Sequence, residues 1–195
     1  RLAVVDRSSP WRGSSHGQVG PRPGDVSATT DYNALDEADI VIVCVPTPLS
    51  KTRDPDLSHI LHAANEIAQR VRPGMLVVLE STTYPGTTEE IIQPRLRRAR
   101  GSRLEVGTDF FLAFSPERID PGRPDRAISS TPKVIGGVSL DCLNVATTLY
   151  ECVVQEVVQV SSPKTAEMVK LLENTFRATN VALVNEIAMI CDKLG

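Results

Sequence analysis

Aromatic residues are scarce in this chain, at 4% of 195 residues, and neither sign of charge prevails: 21 lysines and arginines against 24 aspartates and glutamates leave a formal net charge of −3. A mildly acidic chain with few rings has no bulk electrostatic grip on nucleic acid or an anionic membrane and no platform for stacked bases, although a local basic pocket for a phosphate is compatible with it. No apolar run approaches the roughly 20 residues that span a bilayer, and the first residues lack the charged-then-apolar order of a leader peptide. Together these absences predict a soluble cytoplasmic protein that engages neither nucleic acid nor membrane. The four cysteines, Cys44, Cys142, Cys152 and Cys191, form no C-x-x-C pair and are expected to be reduced structural thiols. His59 and His62 stand a helical turn apart with no third ligand motif, so no metal site is expected. Gly13, Gly17 and Gly20 lack the spacing of a G-x-G-x-x-G dinucleotide loop.

What is present is an ordinary globular balance, 41% hydrophobic and 23% charged, in a length that holds one full domain or one domain and part of a second. Ile40 to Val45 is a continuous run, IVIVCV, of the kind buried on both faces of a parallel sheet, and it stops at Pro46-Thr47-Pro48. Leu57, Ile60, Leu61, Ala64, Ile67, Ala68 and Val71 then recur at helical spacing, with Asp56 placed to cap the start and Pro73-Gly74 the stop. Met75 to Leu79 is the next buried strand. This β-α-β order predicts a doubly wound parallel α/β sheet whose ligand site lies at the carboxyl ends of the strands. Thr87 with Glu90 forms a capping-box signal for another helix, which Pro94 is expected to bend or shorten.

Phe111 to Phe114 reads as a further strand ending in Ser115-Pro116-Glu117-Arg118, and Val153 to Val160 as one more. From Ser162-Pro163, helical periodicity runs to Leu194 and is apolar nearly all round, so that helix must be covered by a second domain, a partner subunit or both. Ser8 to Gly24 reads as a loop. The chain opens directly on a strand-like LAVVD and stops at Gly195 straight after the long helix, and both edges read as cut.

Several residues carry candidate chemistry. Lys170 and Asn174 are four apart on one helix face, a donor platform able to hold a hydroxyl and stabilise negative charge developing on oxygen; the alternative is that Lys170 pairs with Glu167 on a solvated face. Glu117, after proline at a strand end, is either a carboxylate facing a cleft, able to activate water, or an exposed loop glutamate. Thr47, Ser81 and Thr82 offer hydroxyls at adjacent strand ends, suited to a cofactor's phosphate, ribose or carboxamide, or else to ordinary turns. Asp6, ending LAVVD, reads either as the acidic residue that holds a dinucleotide ribose at the second strand of a Rossmann fold, or as the end of a degraded first strand. The cluster Arg95, Arg97, Arg98, Arg100 and Arg103 reads most simply as a solvated basic surface.

CVPTPLSKTRDPDLS (Cys44 to Ser58), LESTTYPGTTEE (Leu79 to Glu90), FSPERIDPG (Phe114 to Gly122) and SSPKTAEMVKLLENTFRATNVALVNE (Ser161 to Glu186) resemble the UDP-glucose/GDP-mannose dehydrogenase family, in order and over roughly residues 26 to 195. The wording is most similar to the UDP-N-acetylglucosamine 6-dehydrogenase branch. The resemblance implies an atypical segment at 1–25, a partial NAD-binding Rossmann-like domain at 26–161 lacking its first strand, and the start of a central all-α dimerisation domain at 162–195. It implies an NAD-dependent four-electron oxidation of a nucleotide sugar's C6 alcohol to a carboxylate for surface-polysaccharide synthesis, by a homodimer joined through the long helix.

By motif, Val45, Pro46, Thr47, Pro48 and Ser81 would border NAD, and Thr82 would border it while positioning the reacting water and hydroxyl. Glu117 would be the general base for thioester hydrolysis, and Lys170 and Asn174 would bind substrate and stabilise the oxyanion. The family's glycine-rich dinucleotide loop and nucleophilic cysteine have no match here, since Cys191 lies within the apolar helix, and Pro121 stands where some relatives carry a second carboxylate. The sequence as given is therefore expected not to complete catalysis alone. A non-catalytic remnant that dimerises or binds NAD weakly, and a β-hydroxyacid dehydrogenase, are the alternatives.

Overall fold

The computed structural model describes residues 4–5, 28–49, 54–98, 103–118 and 131–195; Asp6, Pro121 and the Ser8 to Gly24 loop lie outside the described residues. Short strands β1 (Val4–Val5) and β2 (Ala28–Thr29) pair in parallel, so the two described residues of the strand-like LAVVD are extended. The main sheet has the order β3 (Ile40–Val43), β4 (Leu76–Leu79), β5 (Phe111–Phe114), β6 (Lys133–Gly137), β7 (Val157–Val160). The expected doubly wound parallel sheet carries one antiparallel pair: β3, β4 and β5 run parallel, but β6 is antiparallel to β5, and β7 is parallel to β6. A parallel neighbour needs a crossover, usually helical; β6, being antiparallel, instead begins at the edge where β5 ends.

Both faces of the sheet are covered. On one, Val41, Val43, Val77, Leu79, Leu112, Phe114 and Val134 pack with Ile60, Ala64 and Ile67 of α1 (Ser58–Ala68) and Leu96 of α2 (Gln93–Leu96). On the other, Leu76, Val78, Ala113 and Ile135 pack against Ala146 and Tyr150 of α3 (Leu140–Glu151). The two sets alternate along each strand, as the period of two requires. β4 lies between β3 and β5 and is buried at all four positions, which is why it reads as an unbroken apolar run. The cap of α1 is Leu57, not Asp56 as expected; Asp56 stands one residue earlier, its Oδ1 accepting the Ser58 N–H at 2.8 Å, and that bond holds the Asp56 carboxyl below its usual range.

Two elements differ from the sequence reading. Helix α3, capped by the Ser139 side chain accepting from Cys142 N, was not anticipated; Ser139 followed by Leu143, Ala146 and Tyr150 at helical spacing is the signal that marks it. The helix expected from Thr87 is a π-helical turn, Thr87–Ile92, that runs into α2, with the Gln93 N–H reaching back to Thr88 O. Pro94 has no N–H, and its ring would clash with the Glu90 carbonyl in a regular α-helix, so the turn before it widens. Nor does the Thr87–Glu90 capping box form. The left-handed Gly86 (φ 102°) occupies the cap, and the Thr87 hydroxyl donates to Tyr84 O.

Helix α4 (Pro163–Leu194) starts on a Ser162 cap with proline in its first turn. Its first turns lie on the sheet. A Cβ on Gly136 would stand 2.2 Å from Ser162 O, and one on Gly137 2.3 Å from Leu143 N, so the paired glycines of β6 let α4 and α3 approach the backbone from opposite sides. Beyond Glu173 the helix is exposed all along. Among the described residues no helix is long and apolar enough to cross a membrane, and no group of acidic, His or Cys side chains could hold a metal. His62 instead meets the Tyr32 ring edge-on. Of the four free cysteines only Cys142 is buried, so the expectation of structural thiols holds for that residue, whose Sγ accepts Leu112 N–H, and not for the exposed Cys44, Cys152 and Cys191.

Candidate functional site

Because β3, β4 and β5 are parallel, their carboxyl ends open on one edge, and register carries their following residues into line. Pro46, Thr82 and Glu117 each stand three residues past the end of three adjacent strands. Ser81 joins the first two: its N–H and hydroxyl donate to Val43 O, and its Oγ accepts Val45 N–H at 2.8 Å. The Ser81 hydroxyl is thus buried and engaged, shaping the Val45-Pro46-Thr47-Pro48 turn. Pro46 and Pro48 are exposed, Thr47 and Thr82 half-buried. Pro48 O accepts Asp56 N–H at 2.8 Å, closing the loop that follows the turn.

A polar cluster that sequence reasoning missed lies under these turns. β6 enters at this same edge because it is antiparallel to β5, bringing Lys133; α3 returns to it, bringing Tyr150. Glu80 accepts from the Tyr150 hydroxyl, from Lys133 Nζ at 2.7 Å and from the Cys44 thiol at 3.5 Å, and the Lys133 ammonium lies 5.0 Å from the centre of the Tyr150 ring. Burial and the Glu80 charge push the Cys44 thiol up to about 12, and the same two causes raise the Tyr150 phenol. Both groups are held protonated. Cys44 is therefore a weak nucleophile where it stands. No local motif announces this cluster, because its members come from four elements.

α4 completes the edge. At a spacing of three residues, Lys164, Glu167, Lys170 and Glu173 run down its docked face, and each is tied to the Rossmann-like body. Lys164 Nζ pairs with Glu90 at 2.8 Å; Glu167 accepts from Gly86 N and Thr88; Lys170 Nζ donates to the Glu117 carbonyl; Glu173 pairs with Arg118, whose Nη1 also donates to Pro132 O at 2.9 Å. Lys170 does not pair with Glu167 on a solvated face, since Glu167 is 0% exposed and points into the body. The ties of Lys170 and Glu173 hold the Ser115-to-Arg118 turn onto α4, so Lys170 touches the backbone of the exposed Glu117, and the exposed Asn174 follows Lys170 one helical turn later. An open pocket of about 470 Å³ continues along the same face, lined by Arg118, Pro132, Glu173, Phe176, Arg177 and Asn180. Of the arginines around the end of α2, Arg98 and Arg103 are exposed as expected, Arg95 and Arg97 are half-buried, and Arg100 lies outside the described residues; Arg97 and Arg103 both pair with Glu105.

The Thr83 hydroxyl is buried without a hydrogen-bond partner among the described residues. The accessible, half-buried Thr47 and Thr82, set on adjacent strand ends that Ser81 joins, fit a polar dinucleotide such as NAD laid across the strand ends, with Val45 to Pro48 and Thr82 as the residues that would hold it.

The sequence model of the UDP-glucose/GDP-mannose dehydrogenase family NAD binding domain matches residues 20–154, and that of the family's central domain matches residues 164–195. The chain is 41% identical over 172 residues to the UDP-N-acetyl-D-mannosamine dehydrogenase of Pyrococcus horikoshii, with 88% of this chain and 40% of that protein covered. It is 38% identical over 172 residues to a UDP-N-acetyl-D-glucosamine 6-dehydrogenase of Pseudomonas aeruginosa, with the same coverage of each. It superposes on the solved UDP-D-ManNAc dehydrogenase of Pyrococcus horikoshii with a TM-score of 0.80 at 40% identity, over 89% of this chain and 40% of that one. The chain spans about 40% of the length of these relatives. With matched segments that run through the NAD binding domain and into the central helix, the chain belongs to the UDP-glucose/GDP-mannose dehydrogenase family.

Proposed function

We propose that the chain is the NAD-binding part (26–161) and the opening central helix (162–195) of a nucleotide-sugar 6-dehydrogenase acting on a UDP-N-acetylglucosamine-like substrate in surface-polysaccharide synthesis. The observation that supports this reading is the pair of ties, Lys170 to the Glu117 carbonyl and Glu173 to Arg118, that holds the strand-end turn bearing Glu117 against the helix bearing Lys170 and Asn174. Bound NAD supplies the hydride acceptor for each of two oxidations, from alcohol to aldehyde and from aldehyde level to carboxylate. The Val45 to Pro48 turn and Thr82 hold the cofactor and orient the sugar's C6 hydroxyl. Lys170 and Asn174 donate to the oxygen on which negative charge builds. Glu117 takes the proton from the water that supplies the second carboxylate oxygen. The 470 Å³ pocket beside them is of a size to take part of a nucleotide sugar.

The exposed apolar side chains along α4, among them Leu172, Phe176, Leu183, Ile187 and Ile190, support a homodimer through that helix. They equally favour the second reading, a non-catalytic chain that folds and pairs.

Calorimetric titration with NAD, then with UDP-N-acetylglucosamine, UDP-N-acetylmannosamine and UDP-glucose, separates the two. The first reading expects heat from NAD and preference for an N-acetylated sugar, with Lys170→Met and Asn174→Ala each weakening sugar binding by about tenfold, the value of one good charge-assisted hydrogen bond. Self-association with no heat from NAD or any nucleotide sugar selects the second.

A further inference from the structure

Glu167 is the one carboxylate among the described residues that is wholly inaccessible to solvent, and no sequence motif predicts its burial. Its Oε2 accepts Gly86 N–H at 2.6 Å, and its Oε1 accepts Thr88 N–H at 2.9 Å and the Thr88 hydroxyl at 2.7 Å. These donors stand 79 and 81 residues away in sequence, at the start of the π-helical turn. The first N–H groups of a helical segment have no partner within it, and here a side chain from another element takes the place of the capping box that Thr87 and Glu90 do not form.

Glu167 also lies at the junction of two parts of the proposed site. On the sheet side, Gly86 ends the short turn that carries Thr82. On the helix side, Lys170 follows one turn later on the same face. The left-handed Gly86 backbone and the three donors admit a carboxylate in one orientation, and a buried charge that loses its partners is costly, so the contact tolerates little sliding or rotation of α4. The neighbouring Lys164–Glu90 pair is half exposed on both sides and constrains far less.

We propose that Glu167 is a positioning residue: by capping the Gly86–Thr88 backbone from α4, it sets the register in which Lys170 reaches Glu117 and faces the Thr82 strand end. The functional weight of that register rests on the site reading above, but the register itself is a matter of geometry and is measured without ligand. The test uses the whole chain with 13C-labelled lysine, assigning Lys170 by Lys170→Arg and following its ε-methylene signal and its contact with the Glu117 backbone, alongside amide exchange at Gly86 and Thr88. In Glu167→Gln, amide exchange at Gly86 and Thr88 is expected to accelerate at least tenfold, and the Lys170 signal to shift and lose its Glu117 contact. Thr88→Val, which removes only the hydroxyl donor, is expected to move the Lys170 signal in the same direction by less, and it stands as the test should the Gln variant not fold. A Lys170 signal and Glu117 contact unchanged while the amides lose protection, or unchanged in a folded Thr88→Val protein, would overturn the proposal and leave Glu167 a purely structural cap. Absence of nucleotide-sugar binding would instead count against the site reading and leave this readout untouched.

Discussion

Cys44 is exposed yet poorly placed to react, and the cause is local. Its thiol donates to Glu80, and burial of the sulfur with the nearby Glu80 charge raises it from an ordinary 9.0 to about 12. A shift of that size lowers the thiolate fraction near neutral pH by roughly a thousandfold, and alkylation follows the thiolate. Peptide mass spectrometry after timed iodoacetamide exposure at pH 8 is therefore expected to find Cys44 modified far more slowly than an unperturbed exposed thiol. Because the raised group ionises only as pH approaches 12, the rate should keep climbing well above pH 9. In Glu80→Gln the reaction should be faster. Equal labelling of Cys44 in both forms would show that the Glu80 contact does not govern the thiol. Gly136 makes a steric case at the same scale: alanine there puts its Cβ 2.2 Å from the Ser162 carbonyl oxygen, a backbone atom that cannot swing aside. Urea unfolding is expected to register a loss of about 3 kcal/mol or more, the upper range for overpacking, or no folded protein at all.

Helix starts illustrate how far local chemistry reaches at the scale of the element. α4 begins on a Ser162 cap, its Oγ accepting Thr165 N–H at 3.2 Å, and α3 on a Ser139 cap accepting Cys142 N–H at 3.2 Å. Both caps follow from residues adjacent in sequence. Ser162→Ala is expected to lower stability by about 1 kcal/mol in the same unfolding experiment, the ordinary value of a helix cap, while leaving the helix in place by circular dichroism. The segment from Thr87 has the same kind of local signal and does otherwise, since its capping partner is Glu167 of α4 and its path is widened ahead of Pro94. Local capping residues can be outbid by a carboxylate that the tertiary fold delivers already desolvated. The strands, by contrast, keep close to their apolar runs: Ile40–Val43, Leu76–Leu79 and Phe111–Phe114 all fall within or on the stretches that read as buried. The last strand is shorter than its alternating pattern, covering Val157–Val160, because the chain from Val153 is still turning out of α3.

Across the whole molecule, the outer length of α4 is the unsatisfied feature. Leu172, Phe176, Leu183, Ile187 and Ile190 are between 50% and 69% exposed, more apolar surface than a helix leaves open when nothing covers it. Sedimentation velocity over a range of concentrations is expected to show self-association, and Leu183→Asp with Ile187→Asp to shift the protein to monomer without changing its NAD titration. A monomer at every concentration would count against the dimer proposed through this helix.

Much of the molecule follows from sequence alone for a physical reason: strands buried on both faces must be apolar without interruption, and an amphipathic helix must repeat at its own period, so β3, β4, β5, α1 and α4 are legible one segment at a time. The motifs ending β3, β4 and β5 likewise mark Thr47, Ser81, Thr82 and Glu117 as strand-end residues, since parallel strands deliver their ends to one edge. What only the tertiary structure decided are the relations between segments. The antiparallel entry of β6, the Glu80–Lys133–Tyr150 cluster, the partner of Lys170 and the burial of Glu167 each depend on which side chain meets which across tens of residues. Hydrogen bonds and ion pairs act over a few ångströms, and the sequence orders residues along the chain without giving those distances until the core has closed.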